Sequence, residues 1–150
     1  CGDYTFTARP PEEVATGGLD MRFVRRPIPD HDGKVGRIEA INLETRKVVW
    51  SMRQRSPLSS SMLSTDGGLV FNASLDRRFS AYDETSGKVL WETRLQAPAS
   101  SSPISYSVNG KQYVAVVTGS GNAVDTTARI LAPEINSPPG GTAVVVFALP

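Results

Sequence analysis

The sequence predicts an all-β fold built from repeated four-stranded antiparallel sheets, and three observations predict it. Two eleven-residue segments match at a fixed offset, short alternating strands recur between turn signals, and each matched segment ends on a tryptophan. The first segment, Ala40-Ile41-Asn42-Leu43-Glu44-Thr45-Arg46-Lys47-Val48-Val49-Trp50, aligns with Ala81-Tyr82-Asp83-Glu84-Thr85-Ser86-Gly87-Lys88-Val89-Leu90-Trp91 at an offset of 41 residues (81 minus 40). A repeat of this length signals stacked supersecondary units, each unable to bury its apolar face alone.

Each copy reads as a β-hairpin: an alternating strand into Ala-x-Asn/Asp, a polar turn, and a return strand Lys-Val-Val/Leu-Trp. Asn42 and Asp83 are placed to cap the turn by accepting backbone N–H bonds, and Gly87 supplies the positive φ such turns require. Arg46 stands where the second copy has that glycine, so the first turn is expected to be more strained or differently shaped. Ala40 and Ala81 leave room for close backbone approach. Trp50 and Trp91 present large flat surfaces that only a neighbouring sheet can cover, and truncating a buried one costs roughly 3–5 kcal/mol. The repeat is a packing device.

Four short strands, 62–64, 69–73, 78–83 and 89–93, separated by turns such as Thr65-Asp66-Gly67-Gly68, make one complete antiparallel unit over 53–95. Residues 35–52 supply the last two strands of an earlier unit. Residues 96–150 give three strands, 104–108, 112–118 and 143–148, a final unit lacking its closing strand and carrying a long loop at 119–142. Such units are blades of a β-propeller, and two blades and a fraction cannot close a ring of about four to eight. The chain therefore reads as a partial propeller whose partner is the remaining blades, in the same or a companion polypeptide. Residues 1–34, with Pro10, Pro11, Pro27, Pro29 and the Gly17-Gly18 pair, read as a long loop-rich excursion.

Composition narrows the partners. Sixteen basic against fifteen acidic residues leave a formal charge of +1, without the field that recruits nucleic acid or an anionic bilayer. No apolar run reaches the roughly 20 residues of a membrane helix, so no transmembrane segment is expected. The single cysteine excludes an internal disulfide. Beginning at Cys1 rather than Met, the sequence reads as a processed product or a piece of something longer, in preference to a lipidated amino terminus.

The Ala-x-Asp-x-x-Ser-Gly-Lys-x-x-Trp pattern ending at Trp91 resembles the tryptophan-docking motif of the pyrroloquinoline quinone-dependent (quinoprotein) alcohol dehydrogenases, which are eight-bladed propellers. The likeness extends through Leu63-Ser64-Thr65-Asp66-Gly67-Gly68-Leu69-Val70-Phe71, Leu75-Asp76-Arg77-Arg78-Phe79, Tyr106-Ser107-Val108-Asn109-Gly110-Lys111-Gln112-Tyr113-Val114-Ala115-Val116 and Val144-Val145-Val146-Phe147-Ala148-Leu149-Pro150. It covers roughly residues 35–150 and implies the carboxy-terminal blades. On that resemblance Ala40, Trp50, Ala81, Asp83, Gly87 and Trp91 are structural docking positions.

The same resemblance implies a cofactor, pyrroloquinoline quinone, over Ca²⁺ or a lanthanide, with a hydride passing from an alcohol to the quinone. The family's metal ligands and catalytic base lie in earlier blades, so no catalytic or metal residue is expected here and the chain alone is expected to be inactive. A cytochrome or a quinone would take the electrons, and a periplasmic location is implied. Family members often carry Pro-x-Trp-Gly-Gly ahead of the complete blade, the tryptophan flooring the quinone ring, where this sequence has Pro57-Leu58-Ser59-Ser60-Ser61. Ser59 cannot stack on a ring, so another tryptophan does so, or the cofactor is held differently, or it has been lost. Ser59 and Ser60 are the candidate cofactor-binding positions on this run. The loop at Gly119-Ser120-Gly121-Asn122 is similar to a family loop near the cofactor and adds Gly121 and Asn122.

Other features read more plainly. Gly119-x-Gly121 lacks the third glycine and the helix of a dinucleotide fingerprint, and reads as a strand-end turn. His31, between Asp30 and Asp32, reads as solvated rather than metal-binding. Arg22, Arg25 and Arg26 read as solvated or ion-paired, with docking of an acidic electron-acceptor protein as the alternative. Arg77-Arg78 reads as charge guarding a strand edge. Two function classes stay open: part of a dehydrogenase, or a non-catalytic propeller scaffold for protein–protein interaction in the bacterial envelope.

Overall fold

The computed structural model describes residues 2–8, 21–27, 32–120, 130–136 and 140–149, the first two stretches as paired backbone. Among these, eleven strands form four antiparallel sheets. Strands β1 (Gly2–Ala8) and β2 (Met21–Pro27) pair from Gly2 opposite Pro27 to Ala8 opposite Met21. Residues 1–34 are thus not uniformly loop. Proline and glycine content hid the β-branched and aromatic runs Tyr4-Thr5-Phe6-Thr7 and Phe23-Val24, which carry strand preference.

Strands β3 (Gly36–Ile41) and β4 (Val48–Gln54) form the first repeat hairpin, and β7 (Arg78–Asp83) and β8 (Val89–Arg94) the second. Both share one irregularity. Ala40 faces Trp50 while Ile41 faces Val48, and Ala81 faces Trp91 while Tyr82 faces Val89, so Val49 and Leu90 are bulged. Both turns close alike: Asn42 N–H donates to Lys47 O at 3.0 Å and Asp83 N–H to Lys88 O at 2.8 Å. Arg46 adopts φ 55° and Gly87 φ 71°. The expected difference in turn shape is absent, and the arginine accepts the left-handed backbone instead, at a strain of order 1 kcal/mol.

The second hairpin is completed by β5 (Leu63–Ser64) and β6 (Leu69–Ala73) into a four-stranded sheet in the order β5-β6-β7-β8. Strands β9 (Ile104–Val108), β10 (Lys111–Thr118) and β11 (Ala143–Ala148) make a three-stranded sheet in the order β11-β10-β9. The main core lies between these two sheets. Phe71, Ala73, Phe79 and Ala81 on one side bury against Val114 and Val116, with Val145 and Phe147 at the margin. Phe79 is the hub, its ring 5.9 Å from Phe71 and 5.6 Å from Phe147. Alternate residues of β7 face opposite ways, yet Phe79, Ser80, Ala81 and Tyr82 are all buried, as a strand covered on both faces requires. The sheets are stacked blades.

Candidate functional site

Stacking begins with the tryptophans. A Cβ added at Gly87 would fall 2.6 Å and 2.7 Å from Cε3 and Cδ2 of Trp50, so the indole of the first hairpin lies flat on the glycine turn of the second. Its Nε1–H donates to Glu84 O at 2.7 Å. Gly87 therefore serves two needs at once, a positive φ and a surface without a side chain. Asp83 holds the turn from inside, its Oδ1 accepting Ser86 N–H at 2.8 Å and Ser86 Oγ–H at 2.7 Å, and the hydroxyl and then the amide keep its carboxyl below the ordinary range. Asn42 makes the same bonds to Thr45 at 2.7 Å and 3.0 Å. Trp91 has no such turn among the described residues. It meets Phe79 and Phe147 edge-on at 6.0 Å and 5.1 Å, stays 39% exposed, and walls an apolar groove of about 460 Å³.

At the other end of the sheets two serine runs repeat. Pro57-Leu58-Ser59-Ser60-Ser61 is followed 41 residues later (98 minus 57) by Pro98-Ala99-Ser100-Ser101-Ser102. Each run lies along the last residues of the second strand of its sheet, Leu58 bridging Ser74 and Ala99 bridging Thr118. Backbone bonds match as well: Ser59 N–H to Ala73 O and Ser100 N–H to Val117 O, both 2.9 Å. Ser60 Oγ accepts Ala73 N–H at 2.9 Å, as Ser101 Oγ accepts Val117 N–H at 3.3 Å. The second run went unread from sequence, although the same 41-residue offset marks it.

These contacts separate the sequence candidates. Ser60 is turned into the sheet, accepting a second bond from Asn72 Nδ2 at 3.3 Å and donating to Ser61 O at 3.0 Å, so its hydroxyl is committed to the fold. Ser59 is the contrast. Its Oγ is buried and has no hydrogen-bond partner among the described residues. An orphaned hydroxyl costs about 1–3 kcal/mol unless something outside the protein chain satisfies it. Gly121 and Asn122 lie outside the described residues, as does His31, and the side chains of Arg22, Arg25 and Arg26 are likewise undescribed. Before them, Gly119 N–H donates to Pro98 O at 2.9 Å, which brings the start of that loop to the second serine run. Among the described residues no three of His, Cys, Asp and Glu converge as a metal site.

The family described as the glucose/ethanol/alcohol dehydrogenase β-propeller domain, with pyrroloquinoline quinone as its cofactor, matches residues 9–114. The chain belongs to this family. It is 35% identical over 133 residues to a quinoprotein ethanol dehydrogenase of Pseudomonas aeruginosa, covering 88% of this chain and 21% of that protein. It is 33% identical over 142 residues to a 1-butanol dehydrogenase (cytochrome c) of Thauera butanivorans, covering 95% of this chain and 20% of that one. A europium-containing methanol dehydrogenase superposes with a TM-score of 0.65 at 29% identity, over 75% of this chain and 23% of the other. The chain spans about a fifth of the length of the relatives it matches. The propeller fold, read from strand count and repeat, is the family's fold.

The family cofactor is a planar tricarboxylic quinone whose periphery is rich in hydrogen-bond acceptors. A buried hydroxyl with no partner among the described residues would suit such a rim, and serine would suit an edge contact where it cannot suit a stacking one.

Proposed function

We propose that the chain forms the carboxy-terminal blades of a pyrroloquinoline quinone-dependent dehydrogenase oxidising an alcohol or related substrate, with Ser59 donating one hydrogen bond to the rim of the cofactor. The observation that carries this reading is the buried Ser59 Oγ, without a hydrogen-bond partner among the described residues, on the run where the family resemblance implies a cofactor contact. When bound, the quinone supplies the hydride acceptor. This chain's residues hold and orient. Ser60 fixes the run through Ala73 N–H and Asn72, which keeps Ser59 in place. On the family resemblance alone, Gly121 and Asn122 are proposed as further cofactor contacts.

Calcium or a lanthanide, the catalytic base and the substrate pocket are assigned to blades outside residues 1–150. A relative named for cytochrome c supports a cytochrome as electron acceptor, and the family resemblance alone suggests a periplasmic setting. The test is to load the intact protein with pyrroloquinoline quinone and Ca²⁺, remove excess, and record the quinone absorbance with alcohol-dependent dye reduction. Retained chromophore and dye reduction are expected. A particle that retains no quinone would turn the reading to a protein-binding scaffold.

A further inference from the structure

The 119–142 stretch leaves and rejoins the last sheet at one place. Gly119 N–H is held by Pro98 O at 2.9 Å, Thr118 Oγ1 donates to Gly141 O at 2.7 Å, and Gly140 N–H donates to Ser120 Oγ at 3.2 Å. Its middle lies elsewhere. Leu131 and Ala132 are buried with Val35, just ahead of β3, and Ile135 packs beside them. Residues 130–136 therefore pack beside the entry to β3, on the side of the β3-β4 hairpin.

One side chain holds this segment. Arg55, the residue after β4, meets Glu134 through both forks, Nε to Oε1 at 2.6 Å and Nη2 to Oε2 at 3.0 Å. Its remaining nitrogen, Nη1, donates to Leu131 O at 3.0 Å and to Gly33 O at 2.9 Å. A planar guanidinium can make this set of bonds and an ammonium cannot. The backbone behind it is closely packed: a Cβ at Gly36 would fall 2.1 Å from Ser56 O. Ser59 follows four residues after Arg55, on the run that begins at Pro57.

We propose that Arg55 is a positioning residue: it latches the 130–136 segment to the end of β4 and so keeps that segment and the run that carries Ser59 in one arrangement. The latch rests on the geometry above, and its consequence for the cofactor rests on the proposed role of Ser59.

The test uses the intact protein loaded with pyrroloquinoline quinone and compares Arg55→Met, Glu134→Gln and the exchanged pair R55E/E134R. Amide hydrogen exchange at Ile135, whose N–H bonds Ala132 O at 3.0 Å, reports the latch, and quinone release followed by absorbance reports the site. Arg55→Met is expected to speed exchange at Ile135 about tenfold, with Phe71 and Phe79 unchanged, and to speed quinone release about threefold. Glu134→Gln shifts both less, and the exchanged pair, which restores the ion pair but leaves Leu131 O and Gly33 O without their donor, recovers both only in part. Should Arg55→Met fail to fold, Glu134→Gln and the exchanged pair carry the comparison. Unchanged exchange overturns the latch, and faster exchange with unchanged release overturns positioning. A wild-type protein without quinone refutes the functional reading and the positioning role, while exchange alone still decides the latch.

Discussion

The two repeat hairpins share a sequence pattern, a turn, a bulge and a capping side chain, yet their tryptophans have different fates. Trp50 lies on Gly87 with its Nε1–H bonded to Glu84 O, whereas Trp91 stands at the margin of a groove with aromatic edges for company. Local geometry thus follows from the repeat itself, and burial follows from the next blade. The comparison also separates two roles of glycine. Arg46 shows that the turn tolerates a side chain at positive φ, so the glycine at position 87 answers to the indole above it.

The sharpest way to break this comparison is to truncate each tryptophan. Trp50→Ala should lower stability by about 3 kcal/mol, since a docked ring and its hydrogen bond are lost together. Trp91→Ala should cost roughly 1–2 kcal/mol in residues 1–150, where the ring is partly solvated. Urea titration of both variants measures the difference, and equal losses would end the distinction. Next in size, Gly87→Ala should cost about 2 kcal/mol, because the methyl both strains the turn and lifts Trp50. Arg46→Gly should instead stabilise the first hairpin by roughly 0.5–1 kcal/mol, read as a higher melting temperature.

The smallest expected effect is on pH. Asp83 has its carboxyl held below the ordinary range by Ser86, so its support of the turn is complete above the unfolded value of about 4 and is lost as pH falls through the lower folded value. Asn42 in the first hairpin carries no such charge. The Ser86 amide resonance should therefore titrate in acid while that of Thr45 stays still, and parallel behaviour would contradict the assignment.

Much of this was legible in the residues. The strands at 69–73, 78–83, 104–108 and 143–148 coincide with β6, β7, β9 and β11, because alternation and turn residues are local signals. What escaped is non-local or masked by composition. The Trp50 to Gly87 contact joins residues 37 apart (87 minus 50), and the Arg55 to Glu134 pair joins residues 79 apart, so neither leaves a local trace. The strand pairing of β1 and β2 was hidden by the prolines and glycines around it. At the site, Ser59 and Ser60 look alike in sequence, and only the bonds of the sheet separate a committed hydroxyl from an orphaned one. The second serine run was readable from the 41-residue offset and stands as the parallel that makes the first intelligible.

That pair of neighbouring serines offers the most direct test of the central claim. The intact, quinone-loaded protein should be compared as wild type, Ser59→Ala and Ser60→Ala, following quinone release by absorbance and unfolding by urea. Ser59→Ala should release quinone about tenfold faster with stability unchanged or slightly raised, since an orphaned hydroxyl is removed, whereas Ser60→Ala should lose about 1–3 kcal/mol of stability. Unchanged release from Ser59→Ala would contradict a cofactor contact at this position and leave the serine runs as architecture alone.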